Sequence, residues 1–190
     1  MNFISVKPDT YLFPLPAALV SCGSVNNPNL ITIAWTGTVC SSPPMCYVSI
    51  RKERYSHSLI KESLEYVINL LPDSFVEEVD YCGTVSGRNA NKFIHTGLTP
   101  LKATTVGSSI VGEALVAIEC KVVNILELGS HDMFLSEVVG VQVSDKLISA
   151  DGTQQDFSSL DLIGFTKGWY HSQGRKLLRY GHNKLRGRAI

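Results

Sequence analysis

Apolar and polar residues alternate with a period of two through most of this chain, the pattern of strands that bury one face. Ala17 to Ser24 is a short apolar run entered from Pro14 and Pro16, which suit an extended arm. In Asn29 to Thr36, Ile31, Ile33 and Trp35 share one face while Thr32, Ala34 and Thr36 share the other. The second set holds small residues, so a flat ring system can come close to the backbone there. Thr36-Gly37-Thr38 reads as a polar turn, followed by Cys40 and a Ser-Ser-Pro-Pro break, and Met45 to Ile50 as the next strand. Tyr66 to Leu71 is a strand that Pro72 ends. From Ile110 to Leu128, Val116, Ile118, Cys120, Val122, Leu126 and Leu128 lie on one side and Glu119, Lys121 and Glu127 on the other. That predicts an antiparallel, half-solvated strand pair or one long bent strand, with the charges on the other side. Gly129-Ser130-His131-Asp132 makes the turn, and Phe134 to Ser144 returns with Leu135, Val139, Val141 and Val143 in alternation.

Three short helices interrupt the strands. Ser56 to Glu62 has Ser56 as its N-cap, and Asp73 to Val79 has Asp73 as cap and Phe75, Val76 and Val79 as its buried stripe. After a turn-rich loop, Thr84 to Asn91, comes a third, Ala90 to His95, carrying Lys92 and Phe93. No strand-helix-strand unit repeats. The expected fold is therefore mainly β with a few short helices and antiparallel, not doubly wound. The pattern alone leaves a closed barrel and an open sandwich both possible.

Composition narrows the function more than the fold. With 190 residues, 44% hydrophobic and 18% charged, the chain fits one globular domain over residues 1–190. A formal net charge of zero argues against nucleic acid as a partner. No acid follows Asp161, whereas Lys167, Arg175, Lys176, Arg179, Lys184, Arg186 and Arg188 supply seven of the 17 cations. This basic tail is either solvated or a clamp for a phosphate or an acidic neighbouring subunit. The start lacks a signal-peptide pattern and no apolar run reaches the roughly 18 residues that span a bilayer, so no membrane and a cytoplasmic location are expected. Five cysteines with no CxxC pair argue against a disulfide framework or a structural zinc. Cys46 and Cys120 read as small buried hydrophobes, and Cys40, in the polar turn, is open to a redox or substrate-contact role. The histidines have no zinc-ligand spacing, and no Ser-His-Asp order has supporting context.

The chemistry concentrates between Asn26 and Ser63. Two strand exits, the cationic run Arg51-Lys52-Glu53-Arg54 and a helix start at Ser56 can converge on one place. Backbone donors and a helix N-terminus favour a phosphate there, and Trp35 offers an apolar face to a flat ring. A run of charges is also an ordinary exposed turn, and a Trp at a strand end is often core.

The ordered blocks N-P-N-L-I-T-I-A-W-T-G, S-S-P-P and V-S-I-R-K-x-R-Y-S span about 38 residues. Together they resemble the flavin reductase-like family with the FMN-binding split β-barrel, most closely its flavoredoxin branch, and the strand order extends the likeness across Phe13 to Leu178. The resemblance implies a Greek-key antiparallel barrel with FMN as cofactor. It implies that Trp35 and the peptide groups of Ala34, Thr36 and Gly37 line the flavin ring. Ser49, Ile50, Arg51, Lys52 and Ser56 would follow the ribityl chain and phosphate. Tyr55 would cover the ring or merely staple the helix start, and Arg54 is either part of the site or solvated. Lys92 would lie near the phosphate or the reduced flavin, and His131, in its turn, near the ring or simply exposed. Asn29 and Phe165 are carried over as cofactor contacts as well. Two activities follow from the resemblance: NAD(P)H-linked flavin reduction, with NADH or NADPH in the same groove, or electron exchange with a redox protein partner without nicotinamide. A homodimer with the flavin at or near the subunit boundary is the expected assembly.

Overall fold

The computed structural model describes residues 1–149, 157, 160–174, 176–178 and 180. Twelve strands are described: β1 (Leu15–Pro16), β2 (Ala18–Ser24), β3 (Asn27–Ile33), β4 (Thr36–Ser41), β5 (Pro44–Arg51), β6 (Glu65–Leu70), β7 (Pro100–Lys102), β8 (Ser109–Val111), β9 (Val116–Glu127), β10 (His131–Val143), β11 (Ile163–Thr166) and β12 (Trp169–Ser172). Three helices join them: α1 (Tyr55–Ser63), α2 (Val76–Thr84), entered through a 3-10 turn at Asp73–Phe75, and α3 (Lys92–Thr96). The mainly β architecture with a few short helices is the one the alternation predicts.

Seven strands form one antiparallel sheet in the order β3-β2-β6-β9-β10-β5-β4. Its two edges, β3 and β4, are consecutive in the chain, so the sheet must curl round to let Ala34 and Trp35 connect them. The Ser49 N–H donates to the Trp35 carbonyl at 2.9 Å, which carries the β4–β5 pairing one step back toward β3. The inward faces of these strands pack Val20, Ile31, Val48, Ile50, Tyr66, Ile68 and Phe134 into the main core. A second core, with Leu19, Leu30, Leu71, Cys82, Phe93 and Leu98, lies between the outer face and helices α2 and α3. A small sheet, β1-β11-β12, closes one flank.

Local chemistry departs from the sequence reading at several points. Thr36-Gly37-Thr38 is not a turn but the start of β4, because the bend falls one step earlier, at Ala34 and Trp35. The alternation from Ile110 is two strands, β8 and β9, as one of its two readings has it, but they do not pair with each other: Ala114 N–H turns back to the Val111 carbonyl, β8 pairs with β7, and β9 with β6 and β10. Glu119, placed outward by alternation, is fully buried. It is satisfied by Thr104, Thr105 and Gln142, which bring the loop after β7 down onto β9. Helix α1 begins at Tyr55 with Arg54 in the N-cap position and no side-chain cap, so Ser56 is a residue within the first turn and its hydroxyl points inward. Likewise the residue before Asp73, Pro72, holds the cap position of the 3-10 turn. Asn91 caps α3 by accepting from Ile94 N–H at 3.1 Å, and Gly97, at φ 72°, ends it. The β9–β10 turn is shorter than expected: Leu128 N–H bonds the His131 carbonyl, so His131 is the first residue of β10. The basic tail beyond Lys167 falls largely outside the described residues.

Candidate functional site

Two pockets meet at the start of α1. The first, a groove of about 440 Å³, is lined by Ile31, Thr32, Ile33, Ala34 and Trp35 from the end of β3, Ser49, Ile50 and Arg51 from β5, Arg54, His131 and Phe165. The second, about 300 Å³, is lined by Asn27, Pro28, Asn29, Tyr55 and the segment Gly87 to Asn91. Arg54 borders one and Tyr55 the other, and β3 runs past both, so together they suit an elongated ligand.

Strand pairing explains the groove. His131 lies opposite Arg51 and Met133 opposite Ser49, which puts these side chains on the outer face, while Ile50, Asp132 and Phe134 point inward. The His131 ring tilts over Trp35, with centroids 4.5 Å apart and planes at 38°, and its Nδ1 is 2.8 Å from Ser130 Oγ. Burial pushes the His131 pKa below the ordinary histidine value, Arg51 adds to the push and Glu53 partly offsets it. The imidazole is therefore neutral at pH 7. The groove thus offers an aromatic wall, a neutral imidazole and a guanidinium.

The second pocket combines close packing with one lining cation, Arg88. Asn29 Nδ2 donates to Ser56 Oγ at 2.7 Å, fixing β3 to the first turn of α1. A Cβ on Gly87 would lie 1.9 Å from Asn29 Oδ1, so any side chain there must displace the Asn29 amide. Arg88 donates to the Glu53 carbonyl at 3.0 Å and lies over the Tyr55 ring at 5.2 Å. Lys92, which follows the pocket-lining Asn91 but does not line the pocket, is buried, donating to the carbonyls of Leu30 at 2.6 Å and Cys82 at 2.7 Å. No carboxylate pairs with it among the described residues. Burial drives its pKa below the ordinary lysine value; the thiols of Cys82 and Cys22 oppose this and Arg54 reinforces it. A buried ammonium with a like-charged neighbour and no acid is a costly arrangement that an anion relieves.

Eleven of the expected site residues therefore gather: Ala34, Trp35, Ser49, Ile50, Arg51, His131 and Phe165 at the groove, and Asn29, Tyr55, Ser56 and Lys92 at or beside the second pocket. Ser56 and Lys92 lie beside the second pocket without lining it, and Thr36, Gly37 and Lys52 lie apart from both. The Thr36 hydroxyl is taken by the Tyr47 carbonyl at 2.5 Å, and Gly37 lies against the Tyr47 ring. Lys52 turns to Asp132 at 3.3 Å and Glu127 at 3.5 Å, because the alternation that keeps Arg51 outward sends the next residue to the side that Ile50 and Asp132 share. Cys40, half-buried on β4, also lies apart from both pockets. Gly87 and Arg88 were missed. The only local signal was a glycine beside an arginine in a polar loop, and nothing in the sequence joins that loop to α1.

The arrangement is that of a split-barrel flavoprotein scaffold. The chain belongs to the flavin reductase-like family, its residues 10–158 matching the flavin reductase like domain. Its fold superimposes on flavoredoxin of Desulfovibrio vulgaris (Miyazaki F) with a TM-score of 0.85 and 32% identity, covering 94% of this chain and 97% of that one. A protein of Archaeoglobus fulgidus is 35% identical over 71% of this chain and 76% of its own length. The FMN reductase (NADH) of Pantoea ananatis is 28% identical over 57% of this chain and 55% of its own. Among the described residues no helix is long and apolar enough to cross a membrane.

Proposed function

We propose that this chain is an FMN-binding redox protein whose groove receives the isoalloxazine ring and whose second pocket receives the phosphate. The observation that carries the reading is Lys92, a buried ammonium held by two carbonyls with no carboxylate partner among the described residues, next in the chain to Asn91 of a pocket that Arg88 and Gly87 also line. When bound, the flavin supplies hydride and one-electron chemistry. The protein's share is placement. Trp35 gives the ring an apolar wall, while His131 and Arg51 set the polarity beside it. Asn29 and Ser56 hold the strand and helix between which the ribityl chain passes. Lys92, Arg54 and Arg88 balance a phosphate that carries close to two negative charges.

The activity we assign is NAD(P)H-linked flavin reduction, with the nicotinamide in the same groove; the partial likeness to an NADH-dependent FMN reductase supports it. Whole-chain likeness to flavoredoxin favours a second reading, in which the chain keeps its flavin and exchanges electrons with a protein partner. We further assign a homodimer, supported by the exposed apolar side chains of Phe3, Ile4 and Leu12 in the segment before β1 and of Trp169 in β12. Fluorescence titration tests the cofactor: FMN is expected to bind one per chain and more tightly than riboflavin, and equal affinities refute the phosphate pocket. Stopped-flow reduction of the yellow protein by NADH, by NADPH and by a low-potential protein donor separates the two activities.

A further inference from the structure

An ionic cluster that lines neither pocket joins the start of α1 to the ends of β5 and β10: buried Asp132 and His57, with Lys52 half-exposed. Asp132 follows His131 on β10 but faces the other way, opposite Ile50, and is 1% exposed. One carboxylate oxygen is 2.8 Å from His57 Nε2. An ionised carboxylate only accepts, so Nε2 carries the proton. The other oxygen has the Lys52 ammonium at 3.3 Å and no well-aligned donor. Burial alone would raise the Asp132 pKa, but the hydrogen bond from His57 and the charge of Lys52 outweigh it and hold the group ionised.

The three partners come from three segments that build the site. His57 lies in the first turn of α1, next to Ser56 and two residues after Tyr55. Lys52 follows Arg51 at the end of β5, and Asp132 follows His131 at the start of β10. The carboxylate therefore joins the helix that borders the anion pocket to the strand ends that border the ring groove. Burying such a cluster brings little net stability over apolar packing, whereas it does fix geometry.

We propose that Asp132 is a positioning residue for the flavin site: through His57 and Lys52 it fixes the spacing between the ring groove and the phosphate pocket. This rests on the FMN reading above. A ligand that spans two pockets gains from its second contact only if their separation is held, so loosening the tie weakens a bipartite ligand and spares one that fills a single pocket.

The test compares FMN with lumiflavin, which has the ring but neither ribityl chain nor phosphate. Full-length wild type, Asp132→Asn, His57→Gln and the double variant are titrated with each by fluorescence at pH 7. Asp132→Asn is expected to weaken FMN about tenfold, within the coupling range of contacting groups, and to leave lumiflavin within about twofold. The double variant should bind FMN no more weakly than Asp132→Asn alone. If Asp132→Asn does not fold, His57→Gln and Lys52→Gln, which leave the carboxylate in place, carry the same comparison. Unchanged FMN affinity, equal losses for both ligands, or additive effects of the two substitutions overturn the positioning role while the cofactor reading stands. A wild type that binds lumiflavin as tightly as FMN overturns the cofactor reading and this inference with it.

Discussion

Lys92→Met removes the charge on which the phosphate assignment rests while keeping side-chain length and burial. In the ligand-free protein two effects oppose each other. The carbonyls of Leu30 and Cys82 lose their donor, at 2.6 and 2.7 Å, and the core is relieved of an ammonium whose pKa burial already depresses. The fold should therefore survive. With FMN no such balance exists, because the lost group is a cation facing a dianion. A charge-assisted hydrogen bond is worth roughly 1.5 to 3 kcal/mol, which at about 1.4 kcal/mol per decade is about a 10- to 150-fold loss of affinity. Riboflavin, lacking the phosphate, should lose less than about twofold on the same scale. The assay is quenching of flavin fluorescence by wild type and variant at one ionic strength, run with both ligands. Phosphate favours the charged lysine, so wild-type FMN affinity should fall as pH rises through the depressed pKa of the free lysine. The variant should lack that slope. Equal losses for FMN and riboflavin, or none for FMN, would refute the argument and leave Lys92 as a brace between β3 and α2.

Gly87→Ala puts a methyl 1.9 Å from Asn29 Oδ1, so the amide must leave Ser56, and FMN affinity should drop at least about tenfold with a small change in melting temperature, read by titration and calorimetry. Glu119 has its pKa raised by burial but lowered further by hydrogen bonds from Thr105, Gln142 and the amides of Thr104 and Thr105, to about 2. A carboxyl depressed on folding stabilises above its unfolded pKa, so about 3 kcal/mol should be present at pH 7 and lost between roughly pH 4.5 and 2; Glu119→Gln should flatten that part of a urea-unfolding profile against pH, and an unchanged profile would refute the assignment. His131 is held neutral at pH 7 by burial and Arg51, so any dependence of the flavin potential on its charge should appear on the acid side of pH 6.5. His131→Asn should remove it, and superimposable redox titrations from pH 5 to 8 would make His131 only a partner of Trp35.

Much of the site was legible because residues close in sequence are close in space. Trp35, Ser49, Arg51, Tyr55 and Ser56 belong to one run of strand, strand and helix, and period-two alternation places Ser49 and Arg51 on the outer face before any fold is known. The same alternation failed at Glu119, since a pattern gives the face of a strand but not what covers that face. Here a loop carrying two threonines does so. It also could not say that Lys52 meets acids and Lys92 does not, because in sequence both are lysines among polar neighbours. Their difference arises from contacts made across 80 residues in one case and 62 in the other. The sequence by itself determined the antiparallel strands, the short helices and the aromatic and cationic residues of the Asn26 to Ser63 stretch. Tertiary structure alone decided which of these cations meet acids, that a side chain at Gly87 would displace the Asn29 amide, and that Asp132 ties helix to strand. Those properties depend on the distance between charges and on the water removed from around them, and neither is fixed until the chain has curled into its sheet.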